Sequence, residues 1–155
     1  MLKKNLKRYA GMLAAIAIVS GTMGNAIPAY AANVTDTTYE VNVSSSSGLF
    51  TQVSPRDKHN NSKVYVNISE SPYTYVHVRV YGNRNGIIYH NETVGTTATV
   101  KKGVASSITN NCYEHKADGE STVLAKVGFR SASSLTGKVK GVWSPDSTKN
   151  YTVVN

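Results

Sequence analysis

Between Lys63 and Asn91 the chain reads KVYVNISESPYTYVHVRVYGNRNGIIYHN, and its alternation of side chains constrains the fold more than any other feature. Neighbouring side chains of a β-strand point to opposite faces, so residues two apart share a face. From Tyr73 to Tyr81 one face carries Thr74, Val76, Val78 and Val80, and the other carries Tyr73, Tyr75, His77, Arg79 and Tyr81. The preceding run sets Val64, Val66 and Ile68 against Lys63, Tyr65 and Asn67. Ser69–Pro72 and Gly82–Gly86 separate the runs with residues that favour turns, because Gly and Asn tolerate positive φ and Pro fixes its own. The pattern predicts an antiparallel meander with an aliphatic core face and a tyrosine-rich outer face.

Residues 1–31 read as a cleaved secretory signal peptide rather than as part of the fold. Lys3, Lys4, Lys7 and Arg8 form a basic start, Gly11–Val19 is a short apolar run, and Ala29-Tyr30-Ala31 places small residues at a signal-peptidase site. A membrane span needs about 20 apolar residues, and Ser20, Gly21, Thr22, Gly24 and Asn25 interrupt this run well before that. The expected product is a secreted, extracellular or cell-surface protein without a transmembrane span. It consists of one β-domain over residues 32–155, with residues 32–38 as a flexible lead.

Cleavage changes the charge balance. The whole chain has 17 Lys and Arg against 9 Asp and Glu; four of the cations lie in the leader, which leaves 13 against 9, a formal +4. The remaining cations are spread singly, except for Lys101-Lys102, whereas a nucleic-acid footprint would cluster them. No nucleic-acid partner is expected. Mild attraction to anionic cell-wall or lipid groups fits better. Cys112 is the only cysteine, so no intramolecular disulfide can form, and the thiol is expected to be buried.

Around the central stretch, Tyr39–Val43, Leu49–Val53, Thr96–Lys101, Ser121–Phe129, Gly137–Trp143 and Tyr151–Val154 read as further strands. Ser54–Ser62 contains no apolar residue and reads as a surface loop; Val104–Glu114 reads as a weak strand or irregular segment. About eight or nine short strands with Gly, Ser, Pro and Asn turns argue an all-β antiparallel sandwich or a partly open barrel.

Catalytic patterns are sparse. His59, His77, His90 and His115 lack metal-site spacing, and Cys112-Tyr-Glu-His115 supplies only half of a closed zinc site. As a nucleophile and base, Cys112 and His115 would face opposite sides of a strand. No phosphate loop, nucleophile elbow or dinucleotide fingerprint occurs. The reading is a non-enzymatic protein with no cofactor and no metal, a small hydrolase being the least favoured alternative. The skewed aromatic set, ten Tyr against two Phe and one Trp, is the most informative feature. A row of Tyr73, Tyr75, His77, Arg79 and Tyr81 would suit sugar rings and anionic groups if it faced outward. Tyrosines also fill half-exposed sheet faces with no binding role.

Gly137–Ser147 (GKVKGVWSPDS), with Gly141, Trp143 and Asp146, resembles an uncharacterised family of small secreted proteins of low-GC Gram-positive bacteria. A looser likeness is to lactococcin-like secreted bacteriocins, which are small β-sandwiches. The resemblance implies class and location and supplies no site residues. The functional expectation is a binding module acting on cell wall or an anionic envelope polymer, or a bacteriocin-like factor; the alternative is an accessory or structural exoprotein with a protein partner.

Overall fold

The structure, a computed structural model, describes residues 32–44, 48–149 and 151–155. The signal-peptide expectation for residues 1–31 lies outside the described residues. Eleven strands follow in chain order: β1 (Thr37–Val43), β2 (Thr51–Gln52), β3 (Arg56–Lys58), β4 (Val64–Glu70), β5 (Tyr75–Asn83), β6 (Tyr89–Asn91), β7 (Ala98–Lys101), β8 (Ser106–Ile108), β9 (Val123–Ser131), β10 (Gly137–Ser144) and β11 (Thr152–Val154). There is no helix among the described residues. The first sheet runs β1-β10-β4-β8-β11, and the second runs β2-β9-β5-β6, with β3 also on β9 and β7 also on β5. Every pair is antiparallel except β8 with β11. The all-β sandwich expected from the alternation is the fold.

The two sheets enclose one core. Val41, Val43, Val64, Val66, Ile68, Val139 and Trp143 enter it from the first sheet; Val76, Val78, Val80, Val100, Val127 and Phe129 enter from the second. Tyr39 stacks on Phe129 across the layers, ring centres 4.4 Å apart. Val78 is fully buried and stands opposite Ala98 on one side and Phe129 on the other. Cys112 is buried in the same core.

Three expectations are corrected. The central stretch is not one meander: β5 and β6 form a hairpin, but β4 belongs to the opposite sheet. Alternation fixes which face of a strand is buried, and both sheets bury the same kind of face, so it does not assign a strand to a sheet. Ser54–Ser62 is not simply a surface loop, because it contains β3 and the fully buried Lys58. Tyr73 lies before β5 rather than on it, with its ring in the core and its hydroxyl donating to Leu135 O at 2.9 Å.

The Gly-x-Trp stretch has a packing explanation. The β10–β4 register shifts between Lys140 and Gly141. A Cβ on Gly141 would stand 1.9 Å from Asn67 O and 2.7 Å from the Tyr39 hydroxyl, so only glycine fits this irregularity. Trp143 is buried two residues on, and Arg56 lies over its ring.

Candidate binding face

The solvent side of the second sheet is built by the outward residues of β5 and β9. Their register sets His77 beside Arg130, Arg79 beside Gly128 and Tyr81 beside Lys126. Gly128 leaves a dip in the sheet surface, and the side chains of Tyr81, Phe50 and Gln52 close over it. A Cβ there would come 2.9 Å from Tyr81 Cε2 and 3.0 Å from Phe50 Cβ. Phe50 and Tyr81 are each only 9% exposed, yet neither belongs to the core between the sheets.

Two guanidiniums cover Phe50 from the solvent side. Arg79 Cζ lies 4.4 Å and Arg130 Cζ 4.8 Å from the ring centre, both within cation–π range. Arg79 is steered by its Nε donating to Thr97 Oγ1 at 2.8 Å, and Arg130 Nη1 donates to Gly48 O at 3.4 Å. Further along, Lys126 stands over the Tyr89 ring at 3.6 Å. Among the described residues no carboxylate reaches Arg79, Arg130 or Lys126; the ion pairs involve Lys58, Arg84, His115, Lys138 and Lys140 instead.

His77 sits between Arg130 and Thr99, whose Oγ1 is 3.3 Å from its Nδ1. Partial burial, helped by the Arg130 charge, holds the imidazole below the usual histidine range. Burial likewise lowers Lys126. Tyr75, at 48% exposure, is the open ring at the β7 side of the face, opposite Lys101.

The row anticipated from alternation is therefore divided. Tyr75, His77 and Arg79 reach the outer surface, Tyr81 is on that side but covered, and Tyr73 is in the core. Phe50, Lys126 and Arg130 complete the face and were not anticipated. Their signal was available in part: Lys126 and Arg130 alternate with the aliphatic residues of β9 as Arg79 does with those of β5.

Among the described residues no hydrogen bond joins Cys112 to His115. His115 Nδ1 lies 2.7 Å from Glu92 Oε2, and Glu92 Oε1 accepts from Arg84 Nε at 2.5 Å. Arg84 Nη2 is also 3.2 Å from His115 Nδ1, but an Nδ1 that donates to Glu92 cannot accept as well, so the carboxylate contact governs. Burial pushes the Cys112 thiol up to about 12, leaving almost no thiolate at neutral pH. No group of three or more His, Cys, Asp or Glu converges on a metal position among the described residues.

Fold and surface define a two-sheet β-domain whose one outer face is cationic and aromatic. The chain belongs to a family described as protein of unknown function (DUF2712), whose model matches residues 27–147. No curated protein and no solved structure matches it.

Proposed function

We propose that this chain is a secreted, non-enzymatic module that binds an anionic, sugar-bearing polymer of the cell envelope through the outer face of its second sheet. The observation that carries the reading is the pair Arg79 and Arg130 closed over Phe50, with no carboxylate in reach among the described residues and with His77 and the exposed Tyr75 alongside. Guanidiniums offer planar donors to phosphate or carboxylate, and an open tyrosine ring offers a stacking surface to a sugar. The leader reading supplies export, and the Gram-positive and bacteriocin-like resemblances set the place and the kind of action within this proposal. The test is a pull-down of the leader-free protein on purified cell wall at low and high salt. Binding that falls with salt, and that is lost in Arg79→Ser/Arg130→Ser, supports the reading; no retention of the unsubstituted protein ends it.

The rival reading, an accessory exoprotein with a protein partner, draws on a different place. Ile87 and Ile88, in the β5–β6 turn, are 80% and 55% exposed. If co-purification from culture supernatant brings down one protein, and Ile87→Ser/Ile88→Ser releases it, this second reading replaces the first.

A further inference from the structure

Lys58 and Asp146 are brought together from the two sheets: Lys58 ends β3 of the second, and Asp146 follows β10 of the first. Both side chains are completely excluded from solvent, and Nζ lies 3.0 Å from Oδ1. The amine has two other neighbours, Ser62 O at 2.5 Å and Pro145 O at 2.8 Å. The far carboxylate oxygen, Oδ2, accepts backbone N–H groups from Asn33 at 2.8 Å and His59 at 3.0 Å. Ser62 Oγ is 3.4 Å from Oδ1 and accepts the Ser147 N–H at 3.0 Å.

From this geometry we propose that Lys58 and Asp146 condense into an intramolecular isopeptide bond between Nζ and Cγ, with loss of one water. The three ammonium hydrogens are directed at Ser62 O, Pro145 O and Oδ1. Passing the third to Oδ1 leaves a neutral amine and a neutral carboxylic acid. The amine's lone pair then occupies the direction that proton had, toward the carboxyl group, while Ser62 O and Pro145 O hold its other two hydrogens. Nζ attacks Cγ, and the electron pair of the Cγ–Oδ2 double bond moves onto Oδ2. The N–H groups of Asn33 and His59 already point at that oxygen, the arrangement that stabilises an oxyanion. Collapse re-forms the double bond and breaks Cγ–Oδ1. Oδ1 carries away its own proton and a second one from nitrogen, as water. Two protons and one oxygen leave, one N–C bond forms, and no oxidant or further reactant enters.

The surroundings favour the neutral product. An ion pair held away from water carries a larger desolvation cost than a neutral amide does. Burial draws the Lys58 ammonium below the usual lysine range more strongly than Asp146 raises it, which eases the first proton transfer. The chain has a single cysteine and no disulfide, and this bond would join two positions 88 residues apart across the sandwich.

The test needs only the folded, unsubstituted protein, expressed as the full chain, digested with trypsin and mapped by mass spectrometry. The expected result is a branched peptide joining the Lys58 and Asp146 segments, one water lighter than their sum, with no cleavage after Lys58. Lys58→Met should restore an unbranched Asp146 peptide. Finding ordinary cleavage after Lys58 and an Asp146 peptide of full mass in the folded protein shows an ion pair only and overturns the proposal. A water loss that maps to any other pair of residues overturns it as well.

Discussion

The outer faces of the two sheets are made by the same alternation and handle charge in opposite ways. On the first sheet Glu40 of β1 pairs with Lys138 and Lys140 of β10, and Lys140 reaches Glu70 of β4 at 2.9 Å. These carboxylates and ammoniums cancel along a ladder across three strands. The hydrogen bond from Lys138, the largest influence, holds the Glu40 carboxyl below its usual range, and the one to Glu70 raises Lys140. On the second sheet Arg79, Arg130 and Lys126 lie over aromatic rings with no carboxylate beside them among the described residues. Exposed ion pairs are screened by solvent and contribute little to stability, so neither pattern holds the fold together. The difference lies in the field each face presents. The first face is neutralised within itself, whereas the second keeps a local positive potential over an apolar floor, which an anionic partner would neutralise.

The largest expected effect removes both faces at once, because they share one core. Val78→Asp would place a carboxylate among Val76, Val80, Ala98 and Phe129 with no partner, at a cost of several kcal/mol, comparable to the whole stability of such a domain. A cooperative thermal melt near that of the unsubstituted protein would contradict the core described here. Next come two tyrosines that alternation had grouped together. Tyr73→Ser should cost about 3 kcal/mol by emptying a buried ring site, whereas Tyr75→Ser should leave the melting temperature within about a degree or two, as surface changes do. Denaturant titration of the pair separates the core tyrosine from the face tyrosine, and equal losses would merge them.

A third comparison sets the faces directly against each other. Lys138→Ser/Lys140→Ser and Arg79→Ser/Arg130→Ser both remove two cations, so net charge falls equally. Cell-wall retention should drop by about tenfold or more for the arginine pair and by less than about twofold for the lysine pair, by analogy with desolvated and rim-exposed charges at interfaces. Equal drops would mean that total charge, not this face, governs attraction. The smallest effect concerns His77. Its folded-state value is lowered, so the unfolded chain binds the proton more readily as pH falls. Stability is therefore unaffected above the ordinary histidine value of about 6.5 and declines as pH drops from there toward the lowered value. Partial exposure keeps this decline slight, and His77→Gln should flatten it in melts collected across that range.

The alternation in the sequence carried the fold class and most of the core, since Val64, Val66, Val76, Val78 and Val80 declare their buried face by period alone. It did not carry the assignment of β4 and β5 to different sheets, because that depends on pairing with β10 and β9, far along the chain. Lys58 was illegible for a related reason. A lysine among Asp, His and Asn reads as solvated until Asp146 and Pro145, from far along the chain, join the nearby Ser62 carbonyl as its acceptors. The cationic, aromatic face was half legible: Tyr75, His77 and Arg79 follow from the period of β5. Phe50, by contrast, precedes a two-residue strand, and its place on the outside depends on the dip at Gly128.

The junction at Asp146 also determines how this domain would bear force. Asn33 donates to Asp146 Oδ2, and Asp146 N–H donates back to Asn33 O at 3.3 Å, so the segment leading into β1 and the segment leaving β10 are tied at one point. Tension applied between those two segments passes first through that tie and the adjoining Lys58 contact, and the strands in between form a side loop outside the load path. Pulled from beyond β11, the chain would peel that short parallel strand from β8 before strain reached the tie. Wired in this way, the domain keeps the face formed by β5 and β9 out of the load path between those two segments.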